Sequence, residues 1–132
     1  MRLEISKEGV FIPEFKGNKK LPATDQITVR YKTPTITIKN RCRKKPQAKG
    51  IASANGSIES MEIIVEKDDL TTVKEMLISI SNCSFGCNDG KDQLIVSAQD
   101  LLNAPIEFDP LLKEIVAEFD NILDRSGIDE KN

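Results

Sequence analysis

The chain has 132 residues, 39% of them hydrophobic and 30% charged, with a formal net charge of −2, three cysteines and neither histidine nor tryptophan. That length suits one domain able to bury roughly two-thirds of its unfolded surface, and the missing histidine removes the usual general base near neutral pH and the commonest metal ligand. The odd cysteine count, and the lack of a signal-like or membrane-spanning apolar run, predict a cytosolic protein without a disulfide framework.

Residues 1–12 alternate Leu3 and Ile5 with Arg2, Glu4 and Ser6, predicting a short strand; after Glu8-Gly9, Val10–Ile12 predict a second strand ended by Pro13. Lys16–Lys20 is a polar loop. Ile27, Val29 and Tyr31 alternate with Thr28, Arg30 and Lys32 as an amphipathic strand, and Thr35–Ile38 resume the alternation after Thr33-Pro34. A small antiparallel N-terminal sheet with one buried face follows.

Lys39–Ser57 is poor in apolar residues and predicts a long, mobile basic hairpin or loop turning at Asn55-Gly56. Ser60–Glu66 is a strand or the start of a helix, and its β-branched run favours the strand. Asp68 or Asp69 caps a helix carrying Leu70, Val73, Leu77 and Ile80 on one face and running to about Ser81. Asn82–Gly90 is a turn-rich loop, and Leu94–Val96 is a brief extended piece.

Ser97 and Asp100 make a capping box for a short helix with Leu101 and Leu102, stopped by Asn103 and Pro105. Asp109 is the N-cap of a long helix, with Pro110 in the first helical position and Gly127 beyond its end. Leu112, Ile115, Val116, Phe119, Ile122 and Leu123 form its apolar face, while 128–132 are a frayed polar tail. The expected fold is therefore a single α+β domain over 1–132: a small antiparallel sheet followed by three helices.

Charge is distributed unevenly. Gln26–Ile58 holds eight bases and no acid, whereas the chain from Glu59 onward holds seventeen acids against six bases. Such a dipolar chain can set its basic segment against its own acidic half, a second copy, or nucleic acid. Arg41, Arg43, Lys44 and Lys45 are expected to meet carboxylates, within the chain or on a partner. Nucleic acid is the rival, since clustered bases bind phosphate, but the segment interleaves no aromatic for base stacking.

No catalytic set is found. Cys83 and Cys87, with Cys42, do not complete a zinc ligand set; Asn88–Asp92 lacks the alternating ligands and closing Glu of a calcium loop; and Gly86 and Gly90 are not followed by the G-K-[ST] of a phosphate loop. No catalytic, cofactor-binding or metal-ligating residue is assigned, and no cofactor is expected.

The order of parts in FIPEFKGNKKLPATDQITVRYKTPT and in LISISNCSFGCNDGKDQLIVSAQDLLNAPIEFDPLLKEIVAEFDNIL resembles the small tail assembly chaperones of tailed bacteriophages. In the second stretch a helix is followed by a Gly/Asp loop, a short helix, an apolar-Pro turn and a final helix. The resemblance implies a non-enzymatic protein of the host cytoplasm that keeps the helices of the tape measure protein soluble and helps recruit tail tube subunits. Its partner surface is expected to include Arg41, Arg43, Lys44, Lys45, Leu112, Val116 and Phe119, with self-association an open alternative and no membrane contact. Two other functions are carried beside it: a structural neck or tail terminator subunit, and a small regulatory or anti-defence protein whose basic loop binds nucleic acid.

Overall fold

The computed structural model describes residues 1–43, 47–52, 58–64, 68–88 and 90–125, with 47–52 and 58–64 described as backbone. In chain order the elements are β1 (Glu8–Phe11), a 3-10 helix (Phe15–Lys20), β2 (Thr28–Lys32), α1 (Ile36–Cys42), β3 (Gln47–Ala52) and β4 (Ile58–Ile64). There follow α2 (Asp69–Met76), β5 (Leu77–Ser81), β6 (Ser84–Gly86), β7 (Asp92–Leu94), α3 (Ala98–Leu102), a 3-10 turn (Ile106–Phe108) and α4 (Asp109–Arg125). The α+β class stands, and the three sheets among the described residues are antiparallel.

The main sheet has the order β1-β2-β5, so the second half of the chain supplies one strand of the N-terminal sheet. β2 lies in its centre, with Val29 fully buried. Tyr31 packs at a tilt against Phe119 of α4, ring centroids 5.6 Å apart and planes inclined by 60°. Gly9 on β1 lies against the Tyr31 ring so closely that a Cβ there would overlap it, which is why this rung carries no side chain.

Three expectations fail here, each for a tertiary reason. Leu3 and Ile5 form no strand and are 71% and 67% exposed, because β2 gives way to Thr33-Pro34 and then α1, which leaves them nothing to pair with. Thr35–Ile38 are not a strand: Thr35 caps α1, its hydroxyl accepting from the Ile38 amide at 3.1 Å. Helical spacing puts half-buried Ile38 and fully buried Cys42 four residues apart on the side facing α2, at the cost of exposing Ile36, and that burial overrides β-propensity.

The third concerns 69–81. Asp68 is the cap, its Oδ1 accepting from the Thr71 amide at 3.1 Å, but the helix ends at Met76 and Leu77–Ser81 pair with β2. The register shifts between Arg30 and Tyr31, so Tyr31 opposes Leu77 while Arg30 opposes Ser79. A bulge of this kind places residues an odd number apart on the same face, so Leu77 and Ile80 are both buried although three apart. Their helix-like spacing is a property of the bulge.

The basic segment divides. Lys39 and Arg41 belong to the last turn of α1, and β3 and β4 form the hairpin; Lys44, Lys45, the Asn55-Gly56 turn, Gly127 and the 128–132 tail lie outside the described residues. The capping box at Ser97 forms as expected, with the Asp100 carboxylate accepting from the Val96 and Ser97 amides at 3.1 and 3.2 Å. These backbone donors hold the Asp100 carboxyl below its usual pKa.

α4 carries the core. Its buried stripe is Leu111, Ile115, Val116, Phe119 and Leu123, packed with Val73 and Met76 of α2, Ile80, Ile95 and Leu101. Full burial of such side chains is worth about 1.5–3 kcal/mol each. Phe119 stands at the middle of the stripe as expected, but Leu111 is fully buried in addition, and Leu112 and Ile122 are only half-buried. Asp109 is already helical in φ and ψ, continuing the 106–108 turn, and its carboxylate pairs with Lys113 four residues on at 3.2 Å in place of capping.

Candidate functional site

Three depressions run together around the start of α4. The first, about 390 Å³, lies between α2 and α4, floored by Leu112, Val116 and Ala117 and edged by Asp69, Asp109, Lys113 and Asp120. The second, about 110 Å³, shares Asp109 and Leu112 with it and continues past Leu102, Pro105 and Ile106 to Phe108. The third, about 310 Å³, has Phe108 as one wall and Phe15, Leu21 and Ile27 as others, with Lys16, Asp25 and Glu107 at the mouth. The shared residues Asp109, Leu112 and Phe108 set the three side by side as one track of adjoining depressions, along which Ile106 is 83% and Leu21 46% exposed.

The far end of the track is held by side-chain amides that sequence reading passed over. Buried Asn18 donates to the Pro13 and Ile27 carbonyls at 2.9 and 3.0 Å and accepts from the Ile27 amide at 2.6 Å. Gln26 donates to the Lys19 and Leu21 carbonyls, and Asn82 to the Thr24 and Gln26 carbonyls. Glu114 of α4 accepts from the Glu14 amide at 2.8 Å, fixing the 3-10 helix to α4. Lys16 (φ 48°) and Asn82 (φ 61°), both left-handed, line the third depression. Phe108 stacks obliquely with Phe15 and Phe85, each centroid 5.8 Å away. The segment 13–27, in which Lys16–Lys20 was read as a polar loop, is thus a built wall, and the one sequence signal for it was a central Asn among turn residues.

Asp25, Asp69 and Glu107 have no ion-pair partner among the described residues, whereas Lys113 is engaged by Asp109 and Lys16 sits over the Phe15 ring at 5.6 Å. The rim therefore presents spare negative charge above an apolar floor.

The expected partner residues fall in different places. Leu112 is half-buried and Val116 only 8% exposed; both floor the first depression. Phe119 is 0% exposed, so it cannot meet a partner: its ring fills the space between α4 and the sheet. Arg43 and Arg41 spend their charge inside the chain. Arg43, its side chain 11% exposed, donates to Asp120 Oδ1 at 2.8 Å, to the Asp120 carbonyl at 3.3 Å and to Asp124 Oδ1 at 3.1 Å. Burial by itself lowers the Arg43 pKa, but the hydrogen bonds to Asp120 and Asp124 outweigh it and leave the pKa raised. Arg41 meets Glu75 more loosely, at 3.2 and 3.3 Å.

Cys42 and Cys83 are buried, which pushes both thiols up in pKa, while Cys87 is exposed. Among the described residues no three His, Cys, Asp or Glu side chains converge on a metal-sized site, and no helix is long and apolar enough to cross a membrane. Comparison with known proteins returns no match to a family model, a curated protein or a solved structure.

Proposed function

We propose that the protein is a non-enzymatic assembly chaperone of the phage tail type, acting in the host cytoplasm, which binds the tape measure protein along the track beside α4. The observation that carries the reading is the adjoining of the three depressions, with Leu112, Val116 and Ala117 flooring the first and Phe15, Leu21, Ile27 and Phe108 walling the third, under uncommitted carboxylates. Leu112 and Val116 form an i, i+4 row on α4, and the first depression lies between α2 and α4, so a third helix can seat its ridge there. Lysines or arginines beside that ridge would meet Asp25, Asp69 and Glu107, steering encounter more than adding affinity. The resemblance to tail assembly chaperones points the same way through its short helix, apolar-Pro turn and final helix, while the part expected as a helix at its start is strand β5. The nucleic-acid alternative loses two of its cations, since Arg41 and Arg43 are already paired with carboxylates.

Co-expression with a tape measure protein tests this. The tape measure is expected in the soluble fraction with the wild-type chain and in the pellet with Ile106→Glu/Ala117→Arg, two exposed positions on the track. A tape measure that precipitates beside the wild-type chain, or stays soluble beside the variant, refutes the proposal. Finding the chain in purified particles instead favours a neck or terminator subunit.

A further inference from the structure

Within the track, the third depression has a polar chemistry of its own. At about 310 Å³ it stands at the small end of the roughly 300–1,000 Å³ typical of ligand pockets, room for one side chain. It is also held in shape before anything binds. Asn82 donates to the Thr24 and Gln26 carbonyls, the two that flank Asp25, at 2.9 and 3.0 Å. The Asp25 amide donates in turn to the Pro22 carbonyl at 2.8 Å. The backbone of Asp25 is thereby braced while its side chain stays exposed, and Glu107 comes from the 3-10 turn directly before Phe108. Bracing of this kind lowers the ordering cost of binding.

The hydrogen-bonding groups left over in the lining are one-sided. The Asn18 side-chain amide donates to the Pro13 and Ile27 carbonyls, and the Asn82 amide is spent on the carbonyls beside Asp25. What remains for a ligand is the carboxylates of Asp25 and Glu107 and the Asn82 Oδ1, which accepts no hydrogen bond among the described residues, with the Ser84 hydroxyl able to serve either way. Lys16 is the one cation of the lining, and it sits over the Phe15 ring. An anion would meet two carboxylates there, and a neutral apolar group would leave the acceptors unused. The complement is a cation with several N–H donors on an apolar stem.

We propose that the third depression is the anchor pocket for one arginine side chain of the protein that lies along the track. Its methylenes run against Leu21, Ile27 and Phe108, and its guanidinium stands at the mouth, donating to Asp25, Glu107 and the Asn82 Oδ1. The identity of that protein rests on the chaperone reading; the chemistry of the pocket does not. Arginine fits better than lysine because a guanidinium is flat, weakly hydrated and rich in donors, and lies against aromatic rings, whereas an ammonium is compact and holds its water more tightly. The cations of a partner helix then divide in function: those near Asp69 steer its approach, and the one that enters this pocket fixes its register.

Backbone-amide NMR of the full chain, titrated with N-acetyl-arginine methylamide and with its lysine and norleucine counterparts, reads the pocket without the tape measure. The arginine compound is expected to shift the Asn82, Ser84 and Phe108 amides saturably. The lysine compound should bind roughly twofold or more weakly, and the norleucine compound should not saturate. Asp25→Asn and Glu107→Gln, both at exposed positions, should each weaken arginine roughly two- to fivefold, the range of exposed ion pairs, and added salt should do the same. Lys16→Asn, which keeps a residue that tolerates left-handed backbone, should tighten it by removing the opposing cation. An arginine compound that fails to saturate, norleucine that binds equally well, or an affinity unmoved by both carboxylate variants overturns the anchor and leaves the solubility test of the track standing. Saturable arginine binding beside a tape measure that still precipitates supports the pocket and removes the chaperone reading alone.

Discussion

Arg43 is the clearest place to test how the basic segment is used. Its guanidinium makes two contacts to Asp120, itself 14% exposed, and one to Asp124, which is 54% exposed. An exposed ion pair is worth about 0–1 kcal/mol, and breaking a fully buried one costs about 3–5 kcal/mol by stranding the other charge. The Arg43–Asp120 pair lies nearer the buried limit and Asp124 nearer the exposed one. Arg43→Ala should therefore cost roughly 2–3 kcal/mol, and Asp120→Ala a similar amount, since the guanidinium then keeps only the solvent-facing Asp124. Arg41→Ala should cost under about 1 kcal/mol, because the Arg41 side chain is 58% exposed. Urea unfolding at neutral pH reads these losses as midpoint shifts at constant slope. In a double-mutant cycle the Arg43–Asp120 coupling should reach about 1.5–2.5 kcal/mol and resist added salt, while the Arg41–Glu75 coupling should be small and fade with it. A loss below about 0.5 kcal/mol for Arg43→Ala with the fold intact would refute the reasoning and return Arg43 to the pool of available cations.

Phe119→Ala should cost about 3–5 kcal/mol, because Phe119 is 0% exposed and its removal also frees Tyr31; a thermal melt within a degree or two of wild type would show that the ring is not core. In the native protein only Cys87 should react with a thiol reagent at mildly alkaline pH, against all three cysteines in denaturant, since burial both shields Cys42 and Cys83 and raises their pKa; fast labelling of three thiols in buffer would contradict the packing. Asp100 has a depressed folded-state pKa, so the stability it adds is fully present above the unfolded carboxylate value of about 3.9 and is lost as pH falls through the lower folded value. Asp100→Ala should therefore lower the melting temperature above pH 5 or so and converge with wild type in acid; parallel curves down to the acid limit would rule the linkage out.

Much of the local structure was already written in the residues. Ser97 and Asp100 three apart define a capping box whatever surrounds them, Asp68 ahead of Leu70 and Val73 defines a helix start, and Thr28–Lys32 alternate too cleanly to be anything but a half-buried strand. Each is decided by groups within one turn or one strand, which is the range over which sequence spacing is geometry. The apolar period of α4 fixed its existence for the same reason, although the full burial of Leu111 and the half-burial of Leu112 depended on what α2 and β2 brought to it.

The remainder depended on distant partners. The same Thr-Ile alternation that reads as strand in 35–38 becomes helix because Cys42 finds a buried place beside α2, and Leu77 and Ile80 share a face only because β2 imposes a bulge. The candidate site was half visible: Leu112 and Val116 floor it, but Phe15, Leu21, Ile106 and Phe108 come from two segments that the turn residues had labelled as connections. Phe119 was placed on the partner surface because an apolar helical stripe has the same sequence signature whether it faces a core or another molecule. Its burial under Tyr31, and the capture of Arg43 by carboxylates 77 and 81 residues away, are facts of the folded chain: side chains that far apart meet only once the helices and the sheet have been brought together.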